Sequence, residues 1–216
     1  ITSAGVLTFA SAPDYETKAS YTATVTANDG ANTTTQSVTV SVNNLNDNSP
    51  VFTSSASLSG DENQTGIGTV TATDADGDSV TFTVSGSELA VTSAGVLTFS
   101  SAPDYETKAS YTATVTANDG TNTTTQSVTV SVNNLNDNSP VFTSSGSLSG
   151  AENQTSIGTV TASDADGDAV TFTVSGSELA VTSAGVLTFS SAPDYETKAS
   201  YTATVTASDG TNTTTQ

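Results

Sequence analysis

Short runs of alternating apolar and polar residues, each closed by a turn-forming pair, make up most of this chain. The clearest is Tyr111-Thr112-Ala113-Thr114-Val115-Thr116-Ala117, with Tyr, Ala and Val on one face and Thr on the other. A period of two is that of a strand half-buried against a core. Val51-Phe52, Ile67 to Ala72, Val80 to Val84, Gly95 to Phe99 and Val128 to Val132 read as further strands. Asp76-Gly77, Ser85-Gly86 and Asp119-Gly120 supply turns between them. No window carries a period of 3.6, so no helix is expected. Six or seven short strands in about 90 residues predict an all-β, Greek-key sandwich.

The pattern then repeats. Ile1 to Phe9 recurs from Val91 and from Val181, and Tyr15, Tyr105 and Tyr195 keep a spacing of 90. Residues 1–47 match 91–137 with three differences, and 48–126 match 138–216 with six. Such self-similarity marks tandem domains. Residues 1–49 read as the C-terminal part of one repeat and 50–139 as a complete repeat. Residues 140–216 read as a repeat lacking its last strand. The seams are Asn43 to Phe52 and its identical recurrence Asn133 to Phe142. Both are rich in Asn and closed by a proline, Pro50 or Pro140, that fixes φ where the next sandwich begins.

Composition adds a stability problem. The expected core is Phe52, Val70, Ala72, Phe82, Val84, Leu97, Phe99, Tyr105, Tyr111, Val115, Val128, Val130 and Val132. At roughly 1.5–3 kcal/mol per large side chain, so small a core barely meets the entropy of ordering 90 residues. There is no Cys to staple it. A bound metal is the natural further source of stability.

Charge points the same way. The 216 residues hold 22 acids against three basic residues, for a net charge of −19. That balance repels nucleic acid and anionic membrane surfaces. No apolar run is long enough to span a bilayer. The acids are clustered. One copy carries Glu62 in Asp-Glu-Asn-Gln, the run Asp74-Ala75-Asp76-Gly77-Asp78, Pro103-Asp104-Tyr105-Glu106, Asn118-Asp119-Gly120, and Asp137 in the seam. In Asp-Ala-Asp the two carboxylates share one side of an extended strand end. Carboxylates, amides and carbonyls without His or Cys suit Ca²⁺, which takes six to eight oxygens, and not zinc or copper.

These five motifs, in this order and at this repeat length, resemble the cadherin repeats, and most closely the bacterial cadherin-like repeats of large surface and secreted adhesins. The resemblance covers the whole chain. It implies tandem seven-stranded cadherin/Ig-like sandwiches, joined end to end by linkers that bind calcium. It also implies a ligand set. At the first junction this is Asp14 and Glu16 from upstream, Asn44, Asn46, Asp47 and Asn48 from the linker, and Asp74, Asp76 and Asp119 from downstream. At the second it is Glu62, Asp104 and Glu106, then Asn134, Asn136, Asp137 and Asn138, then Asp164, Asp166 and Asp209. Asn44 and Asn134 stand where the family usually has Asp, which removes a carboxylate. Two or three Ca²⁺ per junction are therefore expected.

The implied function is a calcium-binding, rod-forming spacer or adhesion segment of a bacterial cell-surface or secreted protein, hence extracellular. Its partners would be neighbouring repeats of the same chain, other copies, or cell-surface glycans and proteins, with no nucleic acid and no membrane insertion by this segment. A module that directly binds a partner sandwich or polysaccharide, and the subunit of an extracellular filament, are the alternatives. An enzyme is not expected, because no His or Cys is present to build a nucleophile system. Asp78 and Asp168 read as turn residues, and the Asn-x-Thr sequons at Asn32, Asn63, Asn122, Asn153 and Asn212 as chance in a Thr-rich chain.

Overall fold

The computed structural model describes all 216 residues and contains no helix. The chain divides into two compact units. One comprises Ile1–Gly60, Gln64–Ala102 and Ser110–Ser131; the other comprises Asp61–Asn63, Pro103–Ala109 and Val132–Gln216. Each unit holds one Asn-rich linker together with the loops that flank it.

The first unit opens with a hairpin of β1 (Ser20–Asn28) and β2 (Thr33–Ser41), paired from Ser20↔Ser41 to Asn28↔Thr33. Its remaining strands are β3 (Val51–Phe52), β4 (Ser57–Asp61), β5 (Gly66–Thr69), β6 (Ala72–Thr73), β7 (Thr81–Val84), β8 (Leu89–Val91), β9 (Val96–Phe99), β10 (Ser110–Asn118) and β11 (Thr123–Asn133). One sheet runs β4-β11-β10-β7; the facing layer is β5-β9-β8, with β3 paired to β6. Two of the seven expected strands are interrupted. The first is split into β3 and β4, and the second breaks between β5 and β6, beside a register shift at Gly66/Gly68.

The core lies between the layers. Val70, Leu97, Val115, Ala117, Val128 and Val130 are fully buried. Phe99 meets Tyr111 edge-on, with ring centroids 5.1 Å apart. Phe52, Ala72, Val84, Tyr105 and Tyr111, expected inside, are only half-buried. Leu89, buried at 3%, was not expected there, and Ala117, on the apolar face of the alternating run, is buried at 0%.

The β10–β11 turn aims the loop at Asp119. The Asp119 Oδ1 accepts the backbone N–H groups of Thr121 and Asn122, both at 2.7 Å, while Gly120 takes a φ of +102°. A Cβ at Gly120 would meet no atom within 4 Å, so Gly120→Ala is opposed by its backbone conformation alone. We expect it to cost about 1–2 kcal/mol, measurable by urea denaturation.

The second unit repeats this plan with β12 (Val141–Phe142), β13 (Ser156–Thr159), β14 (Ala162–Ser163), β15 (Thr171–Val174), β16 (Leu179–Val181), β17 (Val186–Phe189), β18 (Val205–Ser208) and β19 (Thr213–Thr215). The sheets are β13-β17-β16, β15-β18-β19 and the pair β12-β14. Val160, Phe172, Val205 and Ala207 form its core.

Candidate metal centres in the linkers

In the first unit the linker wraps around one carboxylate. The Asp76 Oδ2 accepts the backbone N–H groups of Asp47 (3.0 Å) and Asn48 (2.8 Å), and its Oδ1 accepts the Asn48 amide at 2.8 Å. The Asn44 amide donates to the Asp76 carbonyl at 2.7 Å. Carboxylate oxygens of Glu16, Asp47 and Asp76 lie within 4.8 Å of one another. Three negative groups at that spacing repel one another strongly unless something positive joins them.

The ionisation of these groups reflects the crowding. Desolvation, followed by contact with Asp76 and Asp14, raises the Glu16 carboxyl above the ordinary glutamate value. Desolvation also pushes Asp76 upward, but hydrogen bonds from Asn48, Glu16 and the Asp47 N–H outweigh it, and the carboxyl stays low. Asp119 behaves as Asp76 does: desolvation opposes, and the Asn122 and Thr121 N–H groups prevail. The two directions act oppositely on stability. The contribution from lowered Asp76 and Asp119 is present above the ordinary Asp value and lost as pH falls. That from raised Glu16 is present below its ordinary value and lost as pH rises through the raised one.

The second unit repeats the arrangement. The Asp166 Oδ2 accepts the N–H groups of Asp137 (3.0 Å) and Asn138 (2.8 Å), and the Asn134 amide donates to the Asp166 carbonyl at 2.9 Å. Carboxylate oxygens of Glu62, Glu106 and Asp137 lie within 4.8 Å of one another. Glu106 is raised by desolvation first and then by the charges of Glu62 and Asp166. Asp166 is held low, chiefly by the Asn138 side chain. Glu62 is 1% exposed. Its Oε1 accepts the Leu135 N–H at 2.6 Å and its Oε2 the Tyr105 N–H at 2.8 Å, tying the linker to the Pro103–Glu106 loop.

One observation speaks to a cation. The Oδ2 atoms of Asp74 and Asp164 are buried and have no hydrogen-bond partner. A buried carboxylate oxygen without a donor is costly. Both belong to three-carboxylate groups, Asp74-Asp76-Asp78 and Asp164-Asp166-Asp168. The donors around them are oxygens, as calcium requires. The Asp78 and Asp168 carboxylates, expected only to shape turns, therefore stand beside the metal-ligand candidates.

Not every expected ligand joins these groups. Asp14 caps its own turn, accepting from the N–H groups of Glu16 and Thr17 and from the Thr17 hydroxyl. Asp104 accepts from the Thr107 N–H and hydroxyl. Asp119 and Asp209 lie at the linker through neighbouring amides. The Asn122 amide donates to Asn46 Oδ1 at 2.7 Å and to the Asn48 carbonyl at 2.9 Å. Asn212 makes the same bonds to Asn136 (2.8 Å) and Asn138 (2.9 Å). These two asparagines were missed. The one clue in sequence was their fixed place three residues after each aspartate. We expect Asn122→Ala to cost about 1–2 kcal/mol and to speed hydrogen exchange at the Asn46–Asn48 amides.

Residues 46–132 match the family described as bacterial Ig domain. No curated protein matches the sequence significantly. Among solved structures, cadherin domains 3–6 of protocadherin gamma B2 align at 21% identity with a TM-score of 0.73, covering 94% of this chain and 58% of that one. The EC3-6 cis-dimer structure of protocadherin gammaB7 aligns at 22% identity with a TM-score of 0.75, covering 95% and 59%. Mouse cadherin-23 EC22-24 aligns at 24% identity with a TM-score of 0.66, covering 94% and 75%. The chain thus spans less than two thirds of the two protocadherin structures. At 21–24% identity these likenesses show the fold, an all-β sandwich of the kind seen in cadherin and Ig-like domains.

Proposed function

We propose that this chain is a calcium-binding, rod-forming spacer or adhesion segment of a bacterial cell-surface or secreted protein, with repeats meeting at 49/50 and 139/140. The observation that carries the reading is the convergence of carboxylates from distant parts of the sequence on each linker. Glu16 and Asp76 meet at Asp47, and Glu62 and Glu106 meet at Asp137. Calcium, when bound, would supply the positive charge these groups lack.

The chain's part is to present the oxygens and to restrain the linker. Asp76 and Asp166 hold linker N–H groups, Glu62 holds that of Leu135, and the Asn side chains fix the remaining register. A 90-residue copy carries ten acids and one Lys. Three ions would lower its net charge of −9 to about −3. Extracellular calcium modules commonly bind at about 10⁻⁴–10⁻³ M, so stiffness would follow a calcium-rich medium. Near-identical copies suit a spacer, whose length is the functional quantity. Likeness to cadherin ectodomain structures and to a bacterial Ig domain supports an adhesion-type, extracellular role.

Calorimetric titration of the whole chain with calcium tests the reading. Saturable binding of about two or three ions per linker is expected, with an affinity that drops on Asp76→Asn or Asp166→Asn. An absence of binding heat at millimolar calcium, with no change in melting temperature, would sink it.

A further inference from the structure

Each linker is held along its length by groups of the sandwich that follows it. At its start the Asn44 amide donates to the Asp76 carbonyl at 2.7 Å, and the Asn134 amide to the Asp166 carbonyl at 2.9 Å. In its middle Asn46 and Asn136 accept from the Asn122 and Asn212 amides. Near its end the Asn48 amide donates to Asp76 Oδ1 at 2.8 Å, and the Asn138 amide to Asp166 Oδ1 at 2.7 Å. Pro50 and Pro140, which close the linkers, are fully buried. The compact units follow the same division. Asn43 to Phe52 fall in one unit with Asp76 and Asn122, and Asn133 to Phe142 fall in the other with Asp166 and Asn212.

We propose that Asn44 and Asn134 are latches that keep each linker seated on the following sandwich without calcium. The chemistry of the bond carries this. A carbonyl oxygen accepts only from a donor, so the group that faces the Asp76 or Asp166 carbonyl is an –NH₂. A carboxylate of the same size has nothing to donate there. It would also bring a further negative charge to Asp76, whose own carboxylate already lies within 4.8 Å of those of Glu16 and Asp47. Asparagine at these two places is therefore the positioning residue that makes the seat independent of a cation.

The grip is double and shielded. Asp76 is 9% exposed, so the bonds that it accepts are strengthened by removal from water. Its Oδ2 takes the backbone N–H groups of Asp47 and Asn48 while its carbonyl takes the Asn44 side chain. Asp166 receives Asp137, Asn138 and Asn134 in the same way.

Calcium then acts on the other side of the linker. The loops ahead of it bring Glu16 to Asp47 and Asp76, and Glu62 and Glu106 to Asp137. Those carboxylates repel one another without a cation, whereas the amide latches do not depend on one. Chelation loosens the carboxylates of the preceding loops and leaves the linker on the following sandwich. This division of roles rests on the calcium reading above, but the latch itself does not.

Hydrogen exchange of the full chain, followed residue by residue by NMR, tests the latch. In EGTA the Asp47, Asn48, Asp137 and Asn138 N–H groups are expected to exchange about a hundredfold or more slower than in a free chain. In the double variant Asn44→Asp with Asn134→Asp that protection should fall about tenfold. It should return when calcium is added, because the new carboxylates then face a cation. Asn44→Ala with Asn134→Ala brings no carboxylate and should recover less. The β10 and β11 amides should keep their protection in both variants, as the sandwich stays folded. Free-chain exchange of the four linker amides in EGTA, or full protection of the Asp variant in EGTA, would overturn the latch. A loss in EGTA that calcium fails to reverse would uphold the latch and contradict the calcium reading.

Discussion

Chelation of calcium with EGTA is expected to lower the melting temperature of the chain by about 10 °C or more. The argument starts from the small core. Val and Ala dominate it, and the residues fully buried in the first unit include a single Leu, Leu97. An ion that binds only the folded state stabilises it by RT ln(1 + [Ca]/Kd). That is about 1.4–2.7 kcal/mol when calcium exceeds Kd by ten- to a hundredfold. Two or three ions at a linker would contribute about 3–8 kcal/mol, and each kcal/mol shifts a domain of this size by about 4–8 °C. Removal also restores the repulsion among Glu62, Glu106 and Asp137. Differential scanning calorimetry in calcium and in EGTA measures the effect. Equal melting temperatures would mean that the buried, unpartnered oxygens of Asp74 and Asp164 are tolerated without an ion.

The second large effect is expected at Glu62. Glu62→Ala removes the acceptor of two N–H groups, those of Leu135 and Tyr105, at a site 1% exposed. Each donor left buried without a partner costs about 1–3 kcal/mol, so the loss should be about 2–6 kcal/mol in the absence of calcium. The chain contains its own control. Glu152 holds the same place in the next copy but is exposed, and its bond to the Tyr195 N–H is long, at 3.3 Å. Glu152→Ala should cost less than about 1 kcal/mol. Urea denaturation of the two variants in EGTA separates them. Equal losses would show that burial of Glu62 is not what ties the linker down.

Much of the fold was legible because alternation is a strong sign of a half-buried strand. Tyr111 to Ala117 and Val128 to Val132 lie within β10 and β11 as expected. Ser57–Asp61 was covered only as the far end of the strand opened by Val51-Phe52, and Leu89–Val91 escaped notice. The first is nearly all polar and is held by pairing with β11, and the second is too short to display a period. Both owe their form to tertiary partners, which local pattern does not reveal.

The site was legible to a similar degree. Clustered Asp and Glu marked the candidate ligands, and the structure brings carboxylates of Glu16, Asp47 and Asp76 together. The role of Asn122 was hidden. Its contact with Asn46 spans 76 residues of sequence, and an asparagine before Thr looks like any other in a Thr-rich chain. Asp14 and Asp104, also expected as ligands, accept hydrogen bonds within their own turns, which motif spacing does not display.

Small-angle X-ray scattering of the full chain, with calcium and then with EGTA, tests the central claim most directly. If calcium holds the linkers Asn43 to Phe52 and Asn133 to Phe142 in place, the calcium-bound chain will give the larger maximum dimension and a narrow distribution of distances. Chelation will shorten and broaden it. A distance distribution identical in the two conditions would contradict calcium stiffening.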